Sequence, residues 1–146
     1  MSDPSTGVGT PPVPKDVLAL NVSAAARKKA LDDGLLVDAG TVAWDAGFSP
    51  PTSITKRVWS DCVAWTAEDD ARQLRQDQQE RLWNLLFMAY VGVRTQPRAR
   101  ASVLFRVACV PRDGRSTEAQ RLQLKIVLSK ADDGARLLTI LYPDED

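Results

Sequence analysis

The chain has 146 residues, 44% apolar and 26% charged, which suits one globular domain with a core that needs no covalent staples. Its 19 basic and 19 acidic residues cancel, so total charge favours neither nucleic acid nor an anionic membrane as partner. Two cysteines and no histidine exclude a disulfide framework, Cys-His and Ser-His nucleophile pairs, His-ligated zinc and imidazole catalysis. Two thiols also fall short of an all-cysteine zinc site, so no metal or cofactor is expected, and reduced thiols in a cytoplasm are the simplest state.

In chain order, MSDPSTGVGTPPVPK holds too little apolar bulk to offset its ordering entropy. It reads as a disordered tail over residues 1–16, ahead of one domain over 17–146. The pattern TPPVP also fits a proline-recognition ligand, a weaker reading. No signal peptide is visible, and no run reaches the roughly 18 apolar residues of a membrane span. A helix is expected from about Val22 to Asp33, capped by Asn21 or Ser23 and stopped by Gly34. Leu35–Asp38 reads as a short edge strand, and Thr41 opens a short helix ended by Gly47.

The stretch RVWSDCVAW, Arg57–Trp65, is placed in a helix starting after Thr52 or Ser53, because Ile54, Val58 and Cys62 recur at i, i+4, i+8. Thr66 and Asp69 match a capping box and predict a new helix. From Leu82 to about Arg94 an apolar stripe (Leu82, Leu85, Leu86, Ala89, Val93), with Trp83, Phe87 and Tyr90 beside it, predicts the central buried helix. The period then changes to two. Val103, Phe105, Val107 and Cys109 alternate with Leu104, Arg106 and Ala108, and two more alternating runs follow. Short links between them predict an antiparallel three-stranded meander. The expected fold is therefore α+β, with N-terminal helices packed on one face of that meander.

Candidate chemistry is thin. A reactive thiolate needs a depressed pKa, and Cys62 has no histidine to supply one, while Asp61 next door raises it. Cys62 and Cys109 read as buried small hydrophobes. Glu68, Asp69, Asp70 and Asp77 form an acidic region that could hold a cation, but acids early in a helix also complement its dipole. Between Arg94 and Lys125, eight basic residues face two acids; between Asp61 and Glu80, six acids face two arginines. The basic flank fits a phosphate backbone, an acidic protein surface or a solvated loop. On the meander's polar face, Arg106, Lys125 and Thr139 would sit among Leu104, Val127, Leu137 and Leu141. So apolar a face calls for a cover: the N-terminal segment, a second copy or a partner.

The segments DGLLVD, AGF, RVWSDCVAW, QDQ with RLW, VPRDG, LK, DDG and TILYPDED run in order from Asp33 to the end. In these the chain resembles a family of small bacterial proteins of the "domain of unknown function" type, found on plasmids, phages and integrated elements. A glycine often precedes RLW in that family, where this chain has DQQERLW. The resemblance carries no catalytic residues. It implies a context in which many small proteins bind and block host defence machinery, with CRISPR and restriction systems as the targets considered. The expected function is thus a non-enzymatic, protein-binding accessory protein of a mobile element. The partner-binding residues expected are Leu104, Arg106, Lys125, Val127 and Thr139 on the sheet and Glu68, Asp69, Asp70 and Asp77 on the acidic helix. The competing reading is a histidine-free, metal-independent RelE-like or colicin-like ribonuclease using Arg106, Lys125 and Thr139. A homodimer burying the sheet face is a third.

Overall fold

The structure, a computed structural model, describes residues 21–145; the expected tail over 1–16 and the domain start at 17 lie outside that range. After the two-residue strand β1 (Asn21–Val22), the Ser23 hydroxyl accepts the Ala26 amide at 3.2 Å and starts helix α1 (Ala24–Asp32). Strand β2 (Leu36–Asp38) leads into helix α2 (Thr41–Ala46), which ends at Gly47. Gly47 has a φ of 120° and lies so close to Tyr90 that an added Cβ would sit 2.5 Å from the ring.

The next stretch departs from the expectation. Thr52–Thr55 is not the start of a helix but strand β3, buried at all four residues. Thr52, Ile54 and Thr55 are β-branched and favour a pleated, packed setting. Ile54 pairs in parallel register with Ile140, so its helical spacing to Val58 and Cys62 is coincidental. The Thr55 hydroxyl then accepts the Val58 amide at 3.4 Å and opens helix α3 (Lys56–Val58), which widens at once into a π turn, Trp59–Val63. Helix α4 (Ala67–Arg72) begins at the Thr66–Asp69 capping box. A separate helix α5 (Gln78–Arg94) begins at Asp77, whose carboxylate accepts the Gln79 amide at 2.8 Å.

Three longer strands follow: β4 (Ser102–Cys109), β5 (Gln120–Ala131) and β6 (Arg136–Leu141). β4 and β6 both pair antiparallel with β5. The sheet continues past them. β3 joins the outer edge of β6 in parallel, β2 joins β3 antiparallel, and β1 runs parallel to the end of β5. The result is a six-stranded mixed sheet curled into a half-barrel. This overturns the expected fold of N-terminal helices on one face of a three-stranded antiparallel meander. β1, β2 and β3 have two, three and four residues, too few to show a period; pairing with longer neighbours makes them strands.

Helices also cover both faces rather than one. On the inner face α2, the π turn and α5 close over a core containing Ile54, Val58, Cys62, Leu85, Phe105 and Ile140. α5 meets β4 most closely at Gly92, where an added Cβ would lie 2.7 Å from that of Phe105. On the outer face, Ala30 of α1 packs with Leu36, Val127 and Leu141 in a smaller cluster. No helix among the described residues is long and apolar enough to cross a membrane.

Candidate functional site

The partner-binding residues expected on the sheet separate into two groups. Val127 and Thr139 are each 3% exposed, so no partner reaches them in this arrangement. Of the three covers the sequence leaves open for this face, the N-terminal segment supplies one: α1 packs there. Burial of Thr139 also removes it from an open Arg106–Lys125–Thr139 constellation, on which the nuclease reading depended. Leu104 and Arg106 remain on the outer surface, with Leu104 51% exposed. Lys125 is half-buried, directly opposite Leu104 in the ladder.

The acidic region serves the fold. The Asp69 carboxylate accepts from the Thr66 amide at 2.8 Å, the Thr66 hydroxyl at 3.0 Å and Arg112 Nε at 2.7 Å. Burial pushes the Asp69 pKa up, but the Thr66 amide, Arg112 and the Thr66 hydroxyl together hold it below its usual range. Asp70 accepts the Trp65 indole N–H and the Gln76 amide, both at 2.9 Å. Asp77 caps α5. Because α4 stops at Arg72, Asp70 and Asp77 lie on different elements, and the four acids do not share the one acidic helix expected. Glu68 is exposed to solvent. Among the described residues no three Cys, Asp or Glu side chains converge as a cation site.

Arg81, which the sequence reading passed over, organises this end of the molecule. It is 7% exposed. Its Nε donates to the Val63 carbonyl, Nη2 to the Asp61 carbonyl and Nη1 to the Val110 carbonyl, each at 3.1 Å. Nη1 also donates to Gln76 at 2.6 Å, and the guanidinium lies 4.5 Å from the Trp65 ring centroid. A π turn leaves carbonyls off the regular α-helical ladder, and here one buried cation collects two of them together with the end of β4. Beside it, Gln73 Nε2 donates to the carbonyls of Pro111 and Ser116, each at 2.7 Å, and fixes the loop after β4. The Tyr142 hydroxyl donates to Asp61 at 2.6 Å, and Arg57 pairs with Asp144 at 2.9 Å while lying 4.0 Å over the Tyr142 ring.

Cys62 and Cys109 lie buried in the core beside this cluster. The neighbouring Cys109 thiol, burial and Asp61 all push the Cys62 pKa up, the wrong direction for a nucleophile. The stretches RVWSDCVAW, QDQQERLW, VPRDG and LYPDE therefore meet in one place, joined by hydrogen bonds from Arg81, Tyr142 and Arg57.

What stands free is aromatic. Trp83 and Phe87 stack one turn apart on α5, ring centroids 6.1 Å apart, and are 43% and 45% exposed. Trp44 on α2 is 67% exposed. A signal for the pair lay in the sequence: Trp83, Phe87 and Tyr90 widen the apolar arc of α5 beyond what one packed face uses. Arg81 had one too, as a lone cation one turn before Leu85 in the buried stripe. No family model matches the chain, and no curated protein or solved structure matches it either.

Proposed function

We propose that the protein is a non-enzymatic, protein-binding accessory protein of a mobile genetic element, with a host defence complex as its partner. The observation that carries the binding role is the exposed Trp83–Phe87 stack on a helix anchored along its whole buried face. Large aromatic side chains on a rigid support are the usual anchors of interface hot spots. Each ring is 43–45% exposed, so covering the remainder recovers on the order of 1 kcal/mol per ring. The defence target rests on the resemblance in the ordered motifs from Asp33 onward, together with the segregated charge.

Affinity capture from a host carrying a CRISPR or restriction system tests this reading. The wild-type chain recovers a defence complex and weakens defence on expression. The Trp83→Ala/Phe87→Ala chain keeps its fold and recovers about tenfold less or lower. Intact defence and no recovered defence complex with the wild type would refute it.

A further inference from the structure

We propose that the outer edge of β4 is a docking site for an extended acidic segment of a protein partner, which adds to the sheet as a further strand. This rests on the protein-binding reading and adds a second, separate contact to it.

The edge follows from the ladder. The Leu128 amide donates to the Ala101 carbonyl at 2.7 Å, so Ala101 and Leu128 form a hydrogen-bonded pair. In an antiparallel ladder such pairs alternate. Val103, Phe105, Val107 and Cys109 therefore turn their amides and carbonyls toward β5, and Ser102, Leu104, Arg106 and Ala108 turn theirs outward. One contact supports this phase independently: Asn84 Nδ2 donates to the Ala108 carbonyl at 3.1 Å from outside the sheet. No other strand among the described residues pairs with β4 on that side. The backbone groups of Ser102, Leu104 and Arg106 are thus left on an edge with no partner strand among the described residues. Ser102–Cys109 has no proline and no bulge, and its one charged side chain, Arg106, is the only common device that blunts such an edge against strands lacking a complementary acid.

Charge selects the occupant. From Arg94 to Arg112 the sequence holds five arginines and no acid. Arg94 lies against Tyr90 and Arg112 pairs with Asp69, which leaves Arg98, Arg100 and Arg106 along and before the strand. Arg121 faces Ala108 across the ladder and adds to the same side. A segment with acidic residues beside Arg106 and an apolar residue beside Leu104 complements this edge in both backbone and side chains. A second copy would set one basic strip against another. Nucleic acid would leave the ladder groups unpaired, and the one aromatic side chain of the strand, Phe105, is buried and cannot stack on a base.

The test is fluorescence anisotropy with a labelled eight-residue peptide, Thr-Val-Thr-Glu-Thr-Val-Thr-Glu, whose valines and glutamates share one strand face as Leu104 and Arg106 do. A valine–lysine peptide and an eight-nucleotide oligouridylate serve as comparators, and sedimentation of the free chain reports self-association. The acidic peptide binds and neither comparator does. Leu104→Pro removes one outward amide without touching the β5 ladder and weakens binding about tenfold. Arg106→Glu weakens it similarly and transfers preference to the lysine peptide. Absence of acidic-peptide binding, equal binding of both peptides, preference for the oligouridylate, or dimerisation that blocks the edge would each overturn the proposal. So would Arg106→Glu binding like wild type, which keeps the test decisive if Leu104→Pro misfolds. The Trp83→Ala/Phe87→Ala chain binds the peptide normally, so failure of the edge and failure of the aromatic anchor remain distinguishable.

Discussion

Two regions at opposite ends of the sequence's expectations behave in opposite ways. The region around Arg81 looks chemical: it gathers cysteine, aspartate, tyrosine, tryptophan and arginine from four separate segments. Many of its side-chain donors and acceptors are nevertheless turned on its own backbone, from the carbonyls of Asp61, Val63 and Val110 to the Thr66 amide, or on one another, as Tyr142 is on Asp61. The edge of β4 looks quiet, a plain alternating strand, yet it leaves backbone groups and Leu104 facing solvent. Polar residues packed against one another make architecture; unpaired backbone beside exposed apolar groups makes a surface with something left to bind.

Substitutions sharpen this contrast, since those at the Arg81 cluster should lower stability and those on the β4 edge should not. Arg81→Met has the largest expected effect. It strands buried carbonyls on the π turn and after β4, a loss of about 3–5 kcal/mol. At about 3 °C per kcal/mol for a chain of this size, Tm falls by roughly 10–15 °C. Calorimetry showing an unchanged Tm would mean that water replaces the guanidinium freely.

Cys62→Ser comes next. It places a hydroxyl in a 1% exposed site and costs about 1–3 kcal/mol. Partner capture per folded molecule stays at the wild-type level. Lost capture with an unchanged Tm would restore Cys62 as a functional thiol.

Asp69→Asn gives a pH-dependent loss. The Asp69 pKa is lowered on folding, so its contribution is present above the unfolded carboxylate range near pH 4 and disappears as pH falls through the folded value. Denaturant midpoints of wild type and variant therefore differ at pH 7, and the difference shrinks as pH falls below about 4. A difference that stays constant through the acid range would assign the loss to packing rather than to the Asp69 charge held by Arg112 and the Thr66 amide. Leu104→Thr has the smallest effect on the fold, within about 0.5 kcal/mol, because the side chain is half in water and threonine keeps the strand preference without facing Lys125 with a like charge. A large loss of stability there would show that the outer edge is covered after all.

The legible parts of the sequence were those with a local rule. The Thr66–Asp69 capping box, the Gly47 stop and the alternation of Val103, Phe105 and Val107 each state their role within a few residues. The sheet's true extent obeys no such rule. Thr52–Thr55 becomes a strand because β6 offers it an edge, a contact across more than 80 residues. The cover on Val127 comes from α1, nearly 100 residues earlier, so a face that reads as half-open is closed in part. The acidic run misled for a related reason. Charge spacing assumes one continuous helix, and the break after Arg72 redistributes Asp69, Asp70 and Asp77 to three different tasks.

Site-resolved amide hydrogen exchange on the free chain tests the contrast most directly. Along β4 the amides of Val103, Phe105 and Val107 should exchange slowly, and those of Ser102, Leu104 and Arg106 fast, in strict alternation. The Ala64 amide, bonded to the Trp59 carbonyl at 2.8 Å within the Arg81-braced turn, should be among the slow set. Uniform protection along β4, or an Ala64 amide as fast as Leu104, would contradict the division into a spent cluster and an open edge.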